Sequence, residues 1–534
     1  MTTTALAPTA QPGTGARSAA SRVPVVQVIG GAGERHDEIL TPAALEFLAR
    51  LDDAFAGRRT AMLAERRHRA GLLATGGSLD FVPATTSVRQ DPSWRVAPPA
   101  PGLERRRTEI VAPPGRRAAA AALASGADVW IADFEDGTAP TWANLVGGQL
   151  TLLDAARAGL RQCGSAPSPT VVVRPRGWHL NERHLLVDGR PIAAPLVDFG
   201  LYLFHCARLR IAGGHGPYFS LPKLENHLEA RLWNDVFLHA QELLGLERGT
   251  IRAAVLVETV TAAFEMDEIL HELREHAAGL TAGRWDYLFS MARTLAHRSD
   301  MVLPERERLT MTAPFLRAFT ELLVRTCHRR GAHALGGMSA HVPDHDPSVN
   351  AAALAKVRLD KEREAEDGFD GSWVAHPSLV PLCRTAFDGV LAGRPHQHER
   401  TRDDVEVTAA ELLSVHRSSG PPSTEGVRTT VALALRYFDA WLRGQGTVVI
   451  GGLAEDAAGA EIARCQIWQW LRHGAVSRER ALRLVDQESA ALLAENPEAS
   501  AAQARDLLLR TAFTGDLPAF FTTRAQPRDQ VHRG

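Results

Sequence analysis

Long apolar runs are missing from this chain. Over its 534 residues nothing approaches the roughly 20 consecutive apolar side chains that a membrane-spanning helix needs. The Ala-rich run from Ala118 to Ala124 is short and follows Arg116 and Arg117, so a soluble protein without membrane contact is expected. Cysteine is scarce as well. The five present (Cys163, Cys206, Cys327, Cys383, Cys465) are odd in number, widely scattered and form no CxxC pair. That excludes a disulfide framework and a thiolate zinc site, and it fits a reducing cytoplasm. Nor does one sign of charge dominate: 60 Lys and Arg stand against 62 Asp and Glu. Without a basic surplus the chain is not built to grip a phosphate backbone, which excludes nucleic acid as the main partner. No internal repeat is visible.

What is present suffices for a full-sized core. Hydrophobic residues make up 45% and charged residues 23%, ordinary globular usage, and the length calls for two or three domains. The first acidic residue is Glu34, and Pro8, Pro12, Gly13 and Gly15 oppose an amphipathic helix before it. Residues 1–38 therefore read as a disordered or extended tail. The last tripeptide, His532-Arg533-Gly534, is not a peroxisomal signal. The run VPVVQVIGGAGERHDE resembles a strand entering a phosphate loop, but His36 stands where GxGxxG needs its third glycine, so a dinucleotide site fails. Residues 39–105 read as a helical N-terminal domain, because Leu48, Leu51, Phe55 and Met62 recur at near-helical spacing. A proline-rich connector from Asp91 to Leu103 ends it.

Beyond it, short β-rich runs alternate with helical stretches, the pattern of parallel β/α architecture. The runs are RTEIV from Arg107, DVWIADFED from Asp128, TVVVRPR from Thr170, YFSLPKLE from Tyr218, AAVLVET from Ala253, WDYLFS from Trp285, HALGGMS from His333 and GSWVAHP from Gly371. Eight is the number a closed barrel needs. The fold class is therefore α/β, a (β/α)8 TIM barrel over residues 106–395. A small inserted subdomain at about 177–217 is expected from the strand-like pieces HLLVDG and FGLYLF. Residues 396–534 form a C-terminal helical cap. There Val427, Val431, Leu435, Phe438 and Leu442 share one stripe that stops at Gly444, and further helices begin near Asp456, Ser477 and Ala499.

In such a barrel, functional side chains project from the C-terminal ends of the strands. Here those ends carry Asp133, Glu135 and Asp136 on the second strand, Arg174 and Arg176 on the third, Lys223 and Glu225 on the fourth and Glu258 on the fifth. The sixth begins with Asp286 and the eighth ends in His376-Pro377. So many charges converging on one mouth mark a functional site. Glu258 and Asp286 offer hard oxygen ligands that suit Mg²⁺. Spacing alone leaves open whether they hold a cation or pair with Arg174 or Lys223.

Longer blocks then carry a resemblance. ADFEDGTAPTWANLVGGQ, VVRPRGWHLNERHLLVDG, LPKLENHLEARLWNDVF, VETVTAAFEMDEILHELREHAAGLTAGRWDYLFS, GFDGSWVAHPSLV and AEDAAGAEIARCQIWQWLRHG resemble successive blocks of the isoform A malate synthases, from about Ile39 to the last helices. The resemblance implies condensation of acetyl-CoA with glyoxylate and hydrolysis of the thioester to malate, with Mg²⁺ as cofactor. It implies that Arg174 stabilises the developing alkoxide, that Glu258 and Asp286 hold the metal, and that Glu135 and Asp136 orient metal-bound water. Glyoxylate would meet the metal and the backbone N–H groups around Gly283, Arg284 and Trp285. Asp456 would be the base that deprotonates the acetyl methyl. On its own, Asp456 reads as a helix N-cap, and both roles are compatible, because a helix N-terminus favours the ionised form a base must have.

Four positions depart from the family pattern: Thr281 stands for asparagine, Ala292-Arg293 where a lysine is usual, Gly137 for Ser or Asn, and Ala454 for Met. Arg89 and Pro377 are candidate CoA contacts, each explained nearly as well by surface solvation or packing. The alternatives are a malyl-CoA-type lyase, which would cleave without hydrolysis, and a lapsed paralogue that only binds CoA or glyoxylate. The resemblance also implies a monomer.

Overall fold

The computed structural model describes residues 24–160, 168–418 and 420–529. The expectations for the tail before residue 24, for Cys163 and for the last tripeptide lie outside the described residues. In chain order the strands are β1 Val26–Val28, β2 Thr108–Ala112, β3 Val129–Asp133, β4 Thr170–Arg174, β5 Asn181–Val187, β6 Arg190–Ala193, β7 Tyr218–Leu221, β8 Arg252–Val257, β9 Ala277–Ala282, β10 Ala334–Ser339, β11 Gly371–Val374, β12 Val448–Ile450 and β13 Leu453–Glu455. Eight of them close a parallel barrel in the order β10-β11-β2-β3-β4-β7-β8-β9. Strands buried on both faces need apolar residues throughout, which is why β3 and β4 read as continuous hydrophobic runs.

Alternation along each strand decides what reaches the mouth. Val129, Ile131, Val172 and Leu256 belong to the small apolar cluster that fills the barrel interior. Two residues further on, the same parity aims Asp133, Arg174 and Glu258 inward at the C-terminal rim. Their opposite-parity neighbours Trp130, Val171 and Val173 join the larger core between barrel and helices.

Two strand expectations are corrected. WDYLFS lies in the helix Arg284–Thr294, and the sixth barrel strand is β9, AAGLTA. Its small residues give a weak strand signal, and small size is what the position requires: Gly279 has φ +136°, and a Cβ there would meet the His333 carbonyl oxygen at 2.4 Å. The aromatic run instead buries Tyr287, Leu288, Met291 and Ala292 at helical spacing. Asp286 thus enters from the first turn of a helix, not from the start of a strand. FGLYLF lies within the helix Ala194–Ala212. That segment is buried on all sides, so the polar face that betrays a helix is missing. HLLVDG does form a strand, β5, joined by β1 and β6 in a three-stranded antiparallel sheet.

The N-terminal helix Pro42–Ala74 packs along the barrel. After the barrel, the helices Thr424–Leu442, Ala457–Arg472, Arg478–Glu495 and Ala501–Ala512 surround a second core that includes Phe438, Trp441, Trp470 and Phe521. The hairpin β12–β13 joins the first two of them. Its two-residue turn, Gly451-Gly452, has φ +57° and +76°, the pair of positive angles that a type I′ turn demands. Backbone bonds from Ala454 N–H to the Ala340 carbonyl (2.8 Å) and from Val342 N–H to the Gly452 carbonyl (2.9 Å) seat this hairpin on the loop after β10.

Candidate active site

Asp133 organises the rim. Its carboxylate accepts the backbone N–H groups of Glu135 (2.9 Å), Asp136 (3.3 Å) and Gly137 (2.9 Å), folding the loop after β3 into a tight turn. That turn swings Asp136 over the barrel mouth. From β4, Arg174 reaches Asp136 at 2.6 Å, Glu258 at 3.1 Å and Asp133 at 3.2 Å, and lies 3.8 Å from Asp286. Lys223 follows β7 in the left-handed region (φ +54°). This unusual backbone lets its N–H reach Glu258 at 2.7 Å while its ammonium lies 2.8 Å from Asp136, 3.1 Å from Asp286 and 3.2 Å from Glu135. All of these side chains are buried.

Asp136, Glu258 and Asp286 each offer an oxygen within 4.8 Å of the others'. Three converging carboxylates are a hard-oxygen set fit for a cation such as Mg²⁺, and the Lys223 ammonium, 3.1 Å from Oδ1 of Asp286, already places positive charge against it. Asp136, expected to orient water around an ion, stands as close as the two expected ligands, while Glu135 lies behind it and accepts the Gly177 N–H at 2.6 Å. The helix Arg284–Thr294 brings its N-terminus, with Gly283 as N-cap, to the same point. A Cβ on Gly283 would come within 2.5 Å of the Glu258 Cβ. Gly283→Ala is therefore expected to push Glu258 out of line and weaken Mg²⁺ binding about tenfold or more, measured by calorimetry; unchanged affinity would contradict it.

Burial and mutual repulsion move the carboxylates of the cluster out of their ordinary range. Burial, with repulsion from Asp286, holds Glu258 well above the usual carboxylate range against the pull of Lys223 and Arg174. Burial and Asp136 raise Asp286. Burial pushes Glu135 up to about 7, despite Lys223. Asp136 is buried too, yet Lys223 and Arg174 hold it down at about 2. The raised groups keep their protons in the folded chain at pH values where the unfolded chain has lost them. The stability they contribute is thus present below the ordinary carboxylate range and is lost as pH rises through about 7. The melting temperature of metal-free protein is expected to fall between about pH 5 and about pH 8, and Mg²⁺ to raise it more at the upper end. Parallel curves with and without Mg²⁺ would contradict this.

Asp456 caps the helix Ala457–Arg472, accepting the N–H groups of Ala458 (3.1 Å) and Gly459 (3.3 Å). The Ala457 N–H bonds to the Asp136 carbonyl at 3.3 Å, which ties that helix start to the loop after β3. Burial raises the Asp456 carboxyl well above its ordinary value, and Asp136, Asp286 and Asp133 add repulsion against Arg174. Beside it opens a cavity of about 310 Å³, lined by Val111, Pro113, Gly137, Met338, Pro377 and Asp456 among others. Pro377 faces this cavity. Arg89 does not; its guanidinium is taken by Glu268, Thr85 and the Val82 carbonyl.

Compared with known proteins, the chain matches the malate synthase N-terminal domain over residues 25–87, the malate synthase TIM barrel domain over 170–415 and the malate synthase C-terminal domain over 422–528. A malate synthase of Streptomyces clavuligerus is 53% identical across 96% of this chain and 99% of that protein. The chain belongs to the malate synthase family. Relatives in that family include a malate synthase of Myxococcus xanthus, 50% identical over 85% of this chain and 84% of that protein, and a glyoxysomal malate synthase of Candida tropicalis, 43% identical over 89% and 90%.

Arg174, Glu258, Asp286, Asp136 and Asp456 come together at one rim, with Glu135 behind and Gly283, Arg284 and Trp285 at the adjoining helix start. Sequence reasoning named Asp133 among the rim charges without seeing that it shapes the loop, and treated Lys223 only as a rim charge and a rival partner for the carboxylates. A non-glycine residue at positive φ carries no signal in its own letter. Thr281, in register with Leu256, is buried with its hydroxyl unpartnered. No helix among the described residues is long and apolar enough to cross a membrane.

Proposed function

We propose that this malate synthase family member condenses acetyl-CoA with glyoxylate and hydrolyses the thioester, releasing malate and CoA, with Asp136, Glu258 and Asp286 as the side chains that hold Mg²⁺. The observation that carries the reading is the meeting of Asp456, delivered by the helical cap, with Arg174 and the three carboxylates at one rim. The cavity beside Asp456 gives the acetyl end of CoA a route to that carboxylate. Asp456, ionised once positive charge bound at the neighbouring carboxylates offsets the burial and repulsion that raise it, takes a proton from the acetyl methyl, and the enolate carbon so formed attacks the aldehyde carbon of glyoxylate. Negative charge moves to the aldehyde oxygen, where the fixed guanidinium of Arg174 stabilises it without reorganisation. Bound at the carboxylates, Mg²⁺ would supply Lewis-acid polarisation of that oxygen and a seat for the glyoxylate carboxylate. The backbone N–H groups of Gly283, Arg284 and Trp285 sit at a helix N-terminus suited to the same anion. The alkoxide recovers the proton taken by Asp456, water attacks the thioester carbonyl and gives a proton to the departing sulfur, and the CoA thiol and malate are released. Glu135, whose carboxyl burial pushes up to about 7, is placed to orient water beside the ion.

The test is direct: purified protein with acetyl-CoA, glyoxylate and Mg²⁺ should release free thiol and malate in equal amounts. Malyl-CoA without thiol would assign the lyase reaction instead, and no product would assign a binding role. A monomer acting in the cytoplasm completes the proposal; the four described cysteines are buried and unpaired, as a reducing compartment allows. Light scattering checks the first part and cell fractionation the second.

A further inference from the structure

Arg306 stands one residue in space from both halves of the site. It lies on a short 3-10 turn, Arg306–Arg308, in the segment that follows the helix Arg284–Thr294. Its Nη2 is 2.8 Å from the carboxylate of Glu455, the residue before Asp456. Its guanidinium also stacks 3.9 Å from the ring of Trp285, the residue before Asp286. The Arg284 guanidinium covers the same indole at 4.1 Å. Glu455 is 2% exposed and its carboxylate folds back on the next helix, where a Cβ on Gly459 would stand 2.1 Å from Oε2. Only glycine leaves that seat open, and the Gly459 N–H is one of the two that hold Asp456. The segment carrying Arg306 is itself fastened to the cap, by Trp470 to the Leu303 carbonyl (2.9 Å), Gln466 to the Pro304 carbonyl (2.5 Å) and Ser423 to Glu305 (2.7 Å).

We infer that Arg306 is a positioning residue, which through Glu455 on one side and Trp285 on the other sets the distance between the Asp456 carboxylate and the glyoxylate-binding helix start. This rests on Asp456 being the base. A surface ion pair would contribute little, but this one is sunk between two folding units, and its planar partner fixes direction as well as distance. Moving a base by about 1 Å is worth about 100-fold in rate while leaving the separately built metal site intact.

The experiment compares Arg306→Met, Glu455→Gln and the double variant with the wild-type enzyme and with Asp456→Asn. Arg306→Met is expected to lower kcat about 100-fold while the KM for glyoxylate and its calorimetric binding with Mg²⁺ stay within about threefold. The double variant buries no unpaired charge, so it is expected to regain the wild-type melting temperature without regaining kcat. Recovery of kcat together with stability would reduce Arg306 to a structural role and overturn the inference, as would a single variant with wild-type kcat. Failure of the underlying reading looks different: wild-type protein would make no malate, or Asp456→Asn would remain active.

Discussion

Asp456→Asn is expected to lower the rate of malate formation by about 10²- to 10⁴-fold, the value of a positioned general base, while glyoxylate and Mg²⁺ still bind. Asparagine has the same shape and keeps an oxygen where Ala458 and Gly459 donate, so the helix cap survives. It cannot accept the methyl proton. The variant also removes a carboxylate that is raised by burial and repelled by Asp136, Asp286 and Asp133, so the folded protein should be no less stable than the wild type. Thiol release gives the rate, calorimetry gives binding and loss of deuterium from labelled acetyl-CoA isolates the proton step. Near-normal turnover by the purified variant would remove Asp456 from the mechanism.

Arg174→Met should fail differently. The guanidinium is 3% exposed and touches Asp133, Asp136 and Glu258. Removing it leaves buried carboxylates with Lys223 as the remaining cation at the rim. Loss of the charge that meets the alkoxide should slow turnover by about 10²- to 10³-fold. Breaking a buried ion-pair network should also cost about 3–5 kcal/mol of stability in metal-free protein. Mg²⁺ should return part of that stability, since it supplies positive charge to the same oxygens, but not the rate. Denaturant titration with and without Mg²⁺ separates the two effects; a variant as stable as the wild type without metal would contradict the electrostatic account.

The barrel was readable because parallel strands buried on both faces are continuous apolar runs, and because period-two alternation carries Ile131 to Asp133, Val172 to Arg174 and Leu256 to Glu258. The same logic misled at Trp285 to Ser290, whose apolar residues suit a strand but whose neighbours make a helix. In a short run, composition cannot separate the two. Asp456 was legible as a cap from its own residues, whereas its place beside Arg174 came from family resemblance, because only tertiary docking brings the hairpin β12–β13 to the loop after β10. Asp136 was read as orienting water around an ion, and its nearness to Glu258 and Asp286 could not be read from spacing: the turn imposed by Asp133 through three backbone bonds decides its reach. The several contacts of Lys223 could not be read from the sequence for a similar reason, since they depend on a backbone angle rather than on a motif.

The carboxylate proposed as proton acceptor starts a helix seated mainly in the nucleus around Phe438, Trp441 and Trp470, with Ile462 and Cys465 reaching the other, and the carboxylates proposed to hold the cation belong to that other nucleus, wrapped about the barrel. Mild heat or denaturant that loosens the smaller nucleus first would leave a molecule that still captures glyoxylate but turns nothing over. In a cell short of chaperones, such half-assembled copies would sequester one substrate without consuming the other.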